Sequence, residues 1–251
     1  MLIWNPWHGC RKLSEGCRHC YVYRRDAQFG RDSRVVEKTA KFGLPLKRNR
    51  RGGYVLSGGT VYTCMTSDFF IGEADPWREE AWRMIRERTD LHFFIVTKRI
   101  DRFTVGLPGD WENGYENVTI CLTCEDQKSA DYRLPIFLEL PLKHRHVIHE
   151  PMLEAIRIEP YLASGKIRRV ICGGESGPEG RLCDFSWVLD SRAQCARHGV
   201  DFFFKQTGTH FRKDGRIYRV PRMYQMSQAV RAGINLDGRN GRVFPVLGFG
   251  G

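Results

Sequence analysis

Three cysteines stand within eleven residues near the start of the 251-residue chain: Cys10, Cys17 and Cys20, spaced C-x6-C-x2-C. Gly9 and Gly16 flank them, and Arg11, Lys12 and Arg18 lie alongside. Such cations favour thiolate over thiol, and the thiolate is what binds metal. In a chain with no export signal, a tight cysteine cluster points to metal or catalysis before it points to disulfides. Two metal chemistries fit. Structural zinc takes four closed ligands, with His8 or His19 available as the fourth. A [4Fe–4S] cluster is usually held by four thiolates, so three would leave one iron open for an outside ligand. Cys121 and Cys124 repeat the C-x2-C spacing inside a β-prone run, where residues three apart face opposite sides; they read as structural. Cys64, Cys172, Cys183 and Cys195 read as core thiols.

A second set of chemical residues closes a series of short apolar runs at 62–68, 93–99, 118–125, 146–150, 169–175 and 201–206. Their closing residues are Asp68, Lys98, Glu125, Glu150, Glu175 and Lys205, spaced 30, 27, 25, 25 and 30 apart. That is the period of a βα unit. Ser67, Arg99 and the pair Gly173-Gly174 stand beside these positions. The glycines permit close backbone approach to a ligand.

The elements that would position these residues are parallel strands alternating with helices. Asp75-Pro76 begins a helix with Trp77, Ala81, Met84 and Ile85 on one face. Asp184 caps another with Trp187, Val188, Ser191 and Cys195 inward and Gly199 as its stop. Segments 126–140 and 151–166 are weaker helices, interrupted by Pro135, Pro151 and Pro160. The fold class is therefore α/β, expected as a partial (β/α) TIM-like barrel of about six or seven parallel strands. Charged strand ends would then converge on its C-terminal mouth. Residues 1–210 would form the barrel, with a basic insertion at 22–53, and 211–251 a Gly/Arg-rich extension.

Composition is globular, with 41% hydrophobic and 27% charged residues, which excludes disordered, collagen-like and coiled-coil chains. No apolar run is long enough to span a membrane, and the N-terminus lacks signal-peptide features. The expected location is the cytoplasm. The net charge of +11 favours a polyanionic partner, and the basic segments 24–51 and 212–231 are the candidate nucleic-acid surfaces.

The string Trp4-Asn5-Pro6-Trp7-His8-Gly9-Cys10, with Cys17 and Cys20-Tyr21, resembles the opening of a bacteriophage-type, radical-SAM-like protein family of unknown function. The likeness continues through Met65-Thr66-Ser67-Asp68, Thr97-Lys98-Arg99, Glu125-Asp126-Gln127, Glu150-Pro151-Met152, Gly173-Gly174-Glu175 and Lys205-Gln206. It covers residues 4 to about 210. The resemblance implies a [4Fe–4S] cluster on Cys10, Cys17 and Cys20 that binds S-adenosylmethionine at its open iron. It implies reductive cleavage to a 5′-deoxyadenosyl radical that abstracts hydrogen from substrate, an external electron donor, and a separate three-Cys-motif partner protein. Two departures stand out. The common first spacing is three residues, whereas here it is six. The family-wide Gly-Gly-Glu that holds the cofactor amine follows the second strand, whereas Gly173-Gly174-Glu175 comes much later. At the second strand this chain offers Ser67 and Asp68, with Asp68 suited to the amine. Lys98 and Arg99 suit the cofactor carboxylate or a substrate phosphate. Glu125 and Glu150 suit ribose hydroxyls or substrate, and Lys205 completes the mouth.

Two functions from different classes follow. One is a radical-SAM enzyme acting on a nucleic acid or nucleotide. The other is a non-enzymatic, zinc-stabilised nucleic-acid-binding protein. A weaker third is a phosphate- or sugar-metabolising barrel with incidental thiols.

Overall fold

In the computed structural model, whose described residues are 2–238 and 242–243, the chain begins β1 (Leu2–Trp4), β2 (Trp7–His8), α1 (Tyr21–Gln28), β3 (Glu37–Lys38) and β4 (Gly59–Thr63). There follow α2 (Asp75–Glu87), β5 (Leu91–Thr97), β6 (Val118–Thr123), α3 (Gln127–Glu139), β7 (His144–His149), α4 (Glu159–Leu162) and β8 (Arg169–Gly173). The chain closes with β9 (Leu182–Asp184), α5 (Phe185–Arg197), β10 (Asp201–Gln206), β11 (His210–Lys213), β12 (Arg216–Arg219), α6 (Arg222–Arg231), β13 (Leu236–Asp237) and β14 (Arg242–Val243).

The large sheet has the strand order β1-β4-β5-β6-β7-β8-β10-β13-β14. The pairs β1–β4, β4–β5, β7–β8 and β8–β10 are parallel, while β13 and β14 add antiparallel. The α/β class with a mostly parallel sheet is thus present. The expected barrel is not closed, since the order has two ends, β1 and β14. The chain packs as two compact units. One compact unit comprises Met1–Lys12, Val22–Cys121 and Glu139–His144; the other comprises Leu13–Tyr21, Leu122–Leu138 and Arg145–Gly251.

In the first unit β5 buries Leu91, Phe93, Ile95 and Thr97, the period-two pattern of a strand with one fully covered face. Helix α2 starts at Asp75-Pro76 and buries Ala81, Met84 and Ile85 together with Trp82 and Arg78, while Trp77 is half-buried. Trp82 sits between Phe69 and Trp111, each with its ring centroid 4.9 Å away. The strand expected over 62–68 stops at Thr63, because Cys64 takes a left-handed φ of 57° and turns the chain. The basic stretch 22–53 carries structure of its own. It contains most of α1, and β3 pairs antiparallel with β2. It is also fastened by the fully buried Arg88, which donates to Pro45 O and to Leu56 O and stacks 3.8 Å from the Tyr54 ring.

In the second unit Asp184 caps α5 by accepting from Ser186 N–H at 2.8 Å, and Gly199 with φ 63° follows its end, as the sequence indicates. Segment 126–140 is helical despite Pro135, but within 151–166 only the four residues of α4 are. β11 pairs with β9 and β12, and β13 with β10. Residues 239–241 and 244–251 of the expected extension lie outside the described residues.

Candidate functional site

In the first unit Asp68 is a hub. Its carboxylate accepts from Thr97 Oγ1 at 2.8 Å, Phe70 N–H at 3.0 Å, Lys98 N–H at 2.9 Å and Arg99 Nη1 at 3.4 Å. It thereby ties the turn after β4 to the end of β5. Its acceptor sites are taken by four donors, so the amine-binding role offered from the sequence competes with a full set of existing bonds. Asp68 aims Arg99, whose Nη1 lies 3.7 Å from Cys10 Sγ and whose Nη2 donates to Arg11 O at 2.6 Å. Arg99 is thus the cation placed on the Cys10 sulfur. Arg11 instead turns its guanidinium to Glu73 and holds that carboxyl below the usual range.

The Cys10 backbone is held on several sides. Cys10 N–H donates to Ser33 O at 2.7 Å, Tyr23 Oη donates to Cys10 O, and Ser67 Oγ donates to Gly9 O. Gly9 has φ 91°, and a Cβ there would stand 2.0 Å from Val35 O, so no other residue fits. Lys98 is half-buried, and its Nζ forms no hydrogen bond or ion pair among the described residues. His8 Nε2 is 2.9 Å from Asp26 Oδ2. Burial raises the Asp26 carboxyl, but hydrogen bonds from Ser33 and His8 outweigh that and leave it below its ordinary value.

In the second unit Cys17 ends a short 3-10 turn, and Cys20 N–H donates to Cys17 O at 3.3 Å. A Cβ on Gly16 would come within 2.9 Å of the Glu125 side chain, so this turn rests directly on Glu125. Glu125 is fully buried and accepts from Arg133 Nη1 at 2.7 Å and Nη2 at 3.5 Å, while Arg133 also donates to Thr123 O. Glu175 receives two hydrogen bonds from the Arg181 guanidinium, at 2.7 and 2.8 Å. Burial raises that carboxyl, but Arg181 more than offsets it, and the result lies below the ordinary range. Arg181 Nη2 also donates to Glu15 O at 2.9 Å, which couples Glu175 to the cysteine turn. Glu150 accepts from Lys205 Nζ at 2.7 Å and Gln206 Nε2 at 2.6 Å. Gly173 packs against Glu150, and Gly174 against Thr207 O. The strand-end acids Glu125, Glu150 and Glu175 therefore each stand in an ion pair.

His149 is fully buried. Its Nδ1 donates to Cys124 O at 2.6 Å, so Nε2 carries the lone pair, and it is buried without a partner. Burial lowers its pKa to about 4, against a smaller opposing effect of that hydrogen bond, and the ring is neutral.

None of the nine cysteines is in a disulfide, and they divide sharply. Cys64, Cys121, Cys124, Cys172, Cys183 and Cys195 are buried, whereas Cys10, Cys17 and Cys20 are half-buried. Burial pushes the thiols of Cys64 and Cys172 well up and that of Cys183 to about 12. Among the described residues no three His, Cys, Asp or Glu side chains are already gathered as a metal site. No described helix is long and apolar enough to cross a membrane.

Arg133, Arg181 and His149 did not stand out in the sequence. Arg133 left one trace, a lone cation among Ala130, Leu134 and Phe137, the residues α3 buries. Arg181 and His149 left none: Arg181 pairs with Glu175 across a loop of no regular pattern, and the His149 partner, Cys124, lies 25 residues away.

Fold and site together describe an α/β protein with a mostly parallel sheet, paired acids at strand ends and three half-buried thiols near the start of the chain. The chain belongs to a family described as a protein of unknown function (DUF5131), which matches residues 2–245. No curated protein and no solved structure matches it. The family description names no activity, so the radical-SAM likeness rests on the residues of this sequence alone.

Proposed function

We infer that the loop of residues 8–21 holds a [4Fe–4S] cluster on Cys10, Cys17 and Cys20, and that the protein is a radical-SAM enzyme. The observation that carries this is the partition of the cysteines: of nine, the three in C-x6-C-x2-C are the ones left half-buried. The donor chemistry fits the group. Arg99 Nη1 stands 3.7 Å from Cys10 Sγ, a cation of the kind found beside metal-binding sulfurs. Metal binding commonly couples to local folding, so the three thiolates need not be gathered before the metal arrives.

When bound, the cluster and S-adenosylmethionine would supply one-electron cleavage to a 5′-deoxyadenosyl radical, with the electron from an external donor. The chain's own part is to hold and orient. Lys98, an ammonium with no described partner, is the residue for the cofactor carboxylate. Asp68, with Ser67 behind Gly9, fixes Arg99 and the loop. Glu125 and Glu175 shape the floor under the Cys17 turn through Arg133 and Arg181. Glu150 with Lys205, and the chain beside Gly173 and Gly174, form a further polar patch open to substrate. The net charge of +11 and the basic segments 24–51 and 212–231 tilt the substrate toward a nucleic acid or nucleotide. A three-Cys-motif partner protein belongs to the same proposal, as does a cytoplasmic location.

A second reading, structural zinc in a nucleic-acid-binding protein, is favoured by His19. Its Nδ1 lies 2.9 Å from Glu179 Oε2, the carboxylate support that metal-binding histidines commonly have. One experiment separates the two. Protein purified without oxygen and reconstituted with iron and sulfide is expected to turn brown and, with reductant and S-adenosylmethionine, to release 5′-deoxyadenosine. Cys17→Ala is expected to lose the iron. A colourless protein with stoichiometric zinc would overturn the enzyme in favour of the zinc module.

A further inference from the structure

A hollow of about 580 Å³ opens beside Cys10, within the first unit. Arg11, Lys12, Arg31 and Arg34 line it, with Asp32 as the one carboxylate and Tyr23 as the aromatic ring. Its volume is that of an ordinary small-ligand site. Its charge is not ordinary. Even when Asp32 and the Glu73 that engages Arg11 are counted against the four cations, two positive charges remain in excess. A concave surface with one sign of charge concentrates the opposite ion.

The chemistry of the lining narrows that ion. Guanidinium groups present forked donors that match phosphate oxygens. Arg34 uses Nε and Nη2 on Asp32, which leaves Nη1. Arg31 is exposed, and its side chain makes no hydrogen bond or ion pair among the described residues. The Tyr23 ring, with the Lys12 ammonium 4.9 Å from its centroid, adds a flat face of the kind on which bases stack.

The hollow is also built into the support of Cys10. Tyr23, which lines it, donates to Cys10 O, and Ser33, which also lines it, accepts from Cys10 N–H. A group bound here sits against the backbone that holds the Cys10 sulfur. We propose that this hollow binds the phosphate ester of a nucleotide, free or within a strand, and so delivers substrate to the thiol loop. Its purpose rests on the reading of that loop as a reaction centre; the binding itself does not.

The test is fluorescence anisotropy at 50 mM salt with a labelled twelve-residue oligothymidylate, and competition by adenosine monophosphate. Arg31→Glu is expected to weaken strand binding at least tenfold, while Lys128→Glu, at an exposed basic residue outside the hollow and outside both basic segments, changes it less than twofold. Thermal unfolding of both variants should match the parent. Displacement of the strand by millimolar mononucleotide identifies the free nucleotide as a sufficient ligand; failure to displace assigns the site to the strand. Absence of binding by either probe, or equal losses in Arg31→Glu and Lys128→Glu, would overturn the proposal. Cys10→Ala is expected to keep its affinity. A protein without iron or deoxyadenosine release that still shows the Arg31 effect therefore loses the enzymatic reading alone.

Discussion

A buried carboxylate or imidazole reports its surroundings more sharply than any other residue, and His149 is the clearest case. Its pKa of about 4 in the folded protein lies below the usual 6.5, so the unfolded chain binds a proton that the folded one refuses. Stability from this group is complete above pH 6.5 and is lost as pH falls toward 4, with a total on the order of 3 kcal/mol. His149→Asn keeps a donor for Cys124 O and removes the titration. Its urea midpoint between pH 6.5 and 4 should fall less steeply than the parent's, and parallel curves would contradict the assignment. The cysteines give a second residue-scale expectation. Under native conditions an alkylating reagent should modify Cys10, Cys17 and Cys20 first, and peptide mass mapping should find the six buried thiols intact. Cysteine spacing made the three-membered loop readable from sequence. It did not reveal which cation serves Cys10, because Arg99 arrives from 89 positions away in the chain through its bond to Asp68.

At the scale of elements, ion pairs rather than open carboxylates mark the strand ends. Arg133 on α3 reaches back to the end of β6, satisfying both Glu125 and Thr123 O. Arg133→Ala would strand a fully buried carboxylate, and a loss of roughly 3–5 kcal/mol is expected in urea unfolding. A loss below 1 kcal/mol would show that Glu125 finds another donor or takes up a proton. The βα period located β5, β6, β7, β8 and β10 well, since buried parallel strands are continuous apolar runs. It did not show that the acids closing those runs are paired, because polar strand ends look alike whether they face a ligand or an arginine. The left-handed Cys64 ended β4 early for a reason that no apolar pattern carries. The short strand β1 was invisible for want of length.

At the scale of the whole molecule the excess of cations dominates. If a polynucleotide is the partner, log K should fall linearly with log salt at about −0.9 per phosphate neutralised, measured by anisotropy from 50 to 200 mM. Arg50→Glu with Arg51→Glu should flatten that slope, and an unchanged slope would remove the insertion from the footprint. The experiment is clean because of Arg88. It clamps Pro45 and Leu56, the two feet of the protrusion that carries Arg50 and Arg51, from within the protein. The tip between those feet is consequently free to vary. It can be recharged, lengthened or fitted with a reporter dye without unmooring the base, much as a handle may be reshaped while its rivets hold.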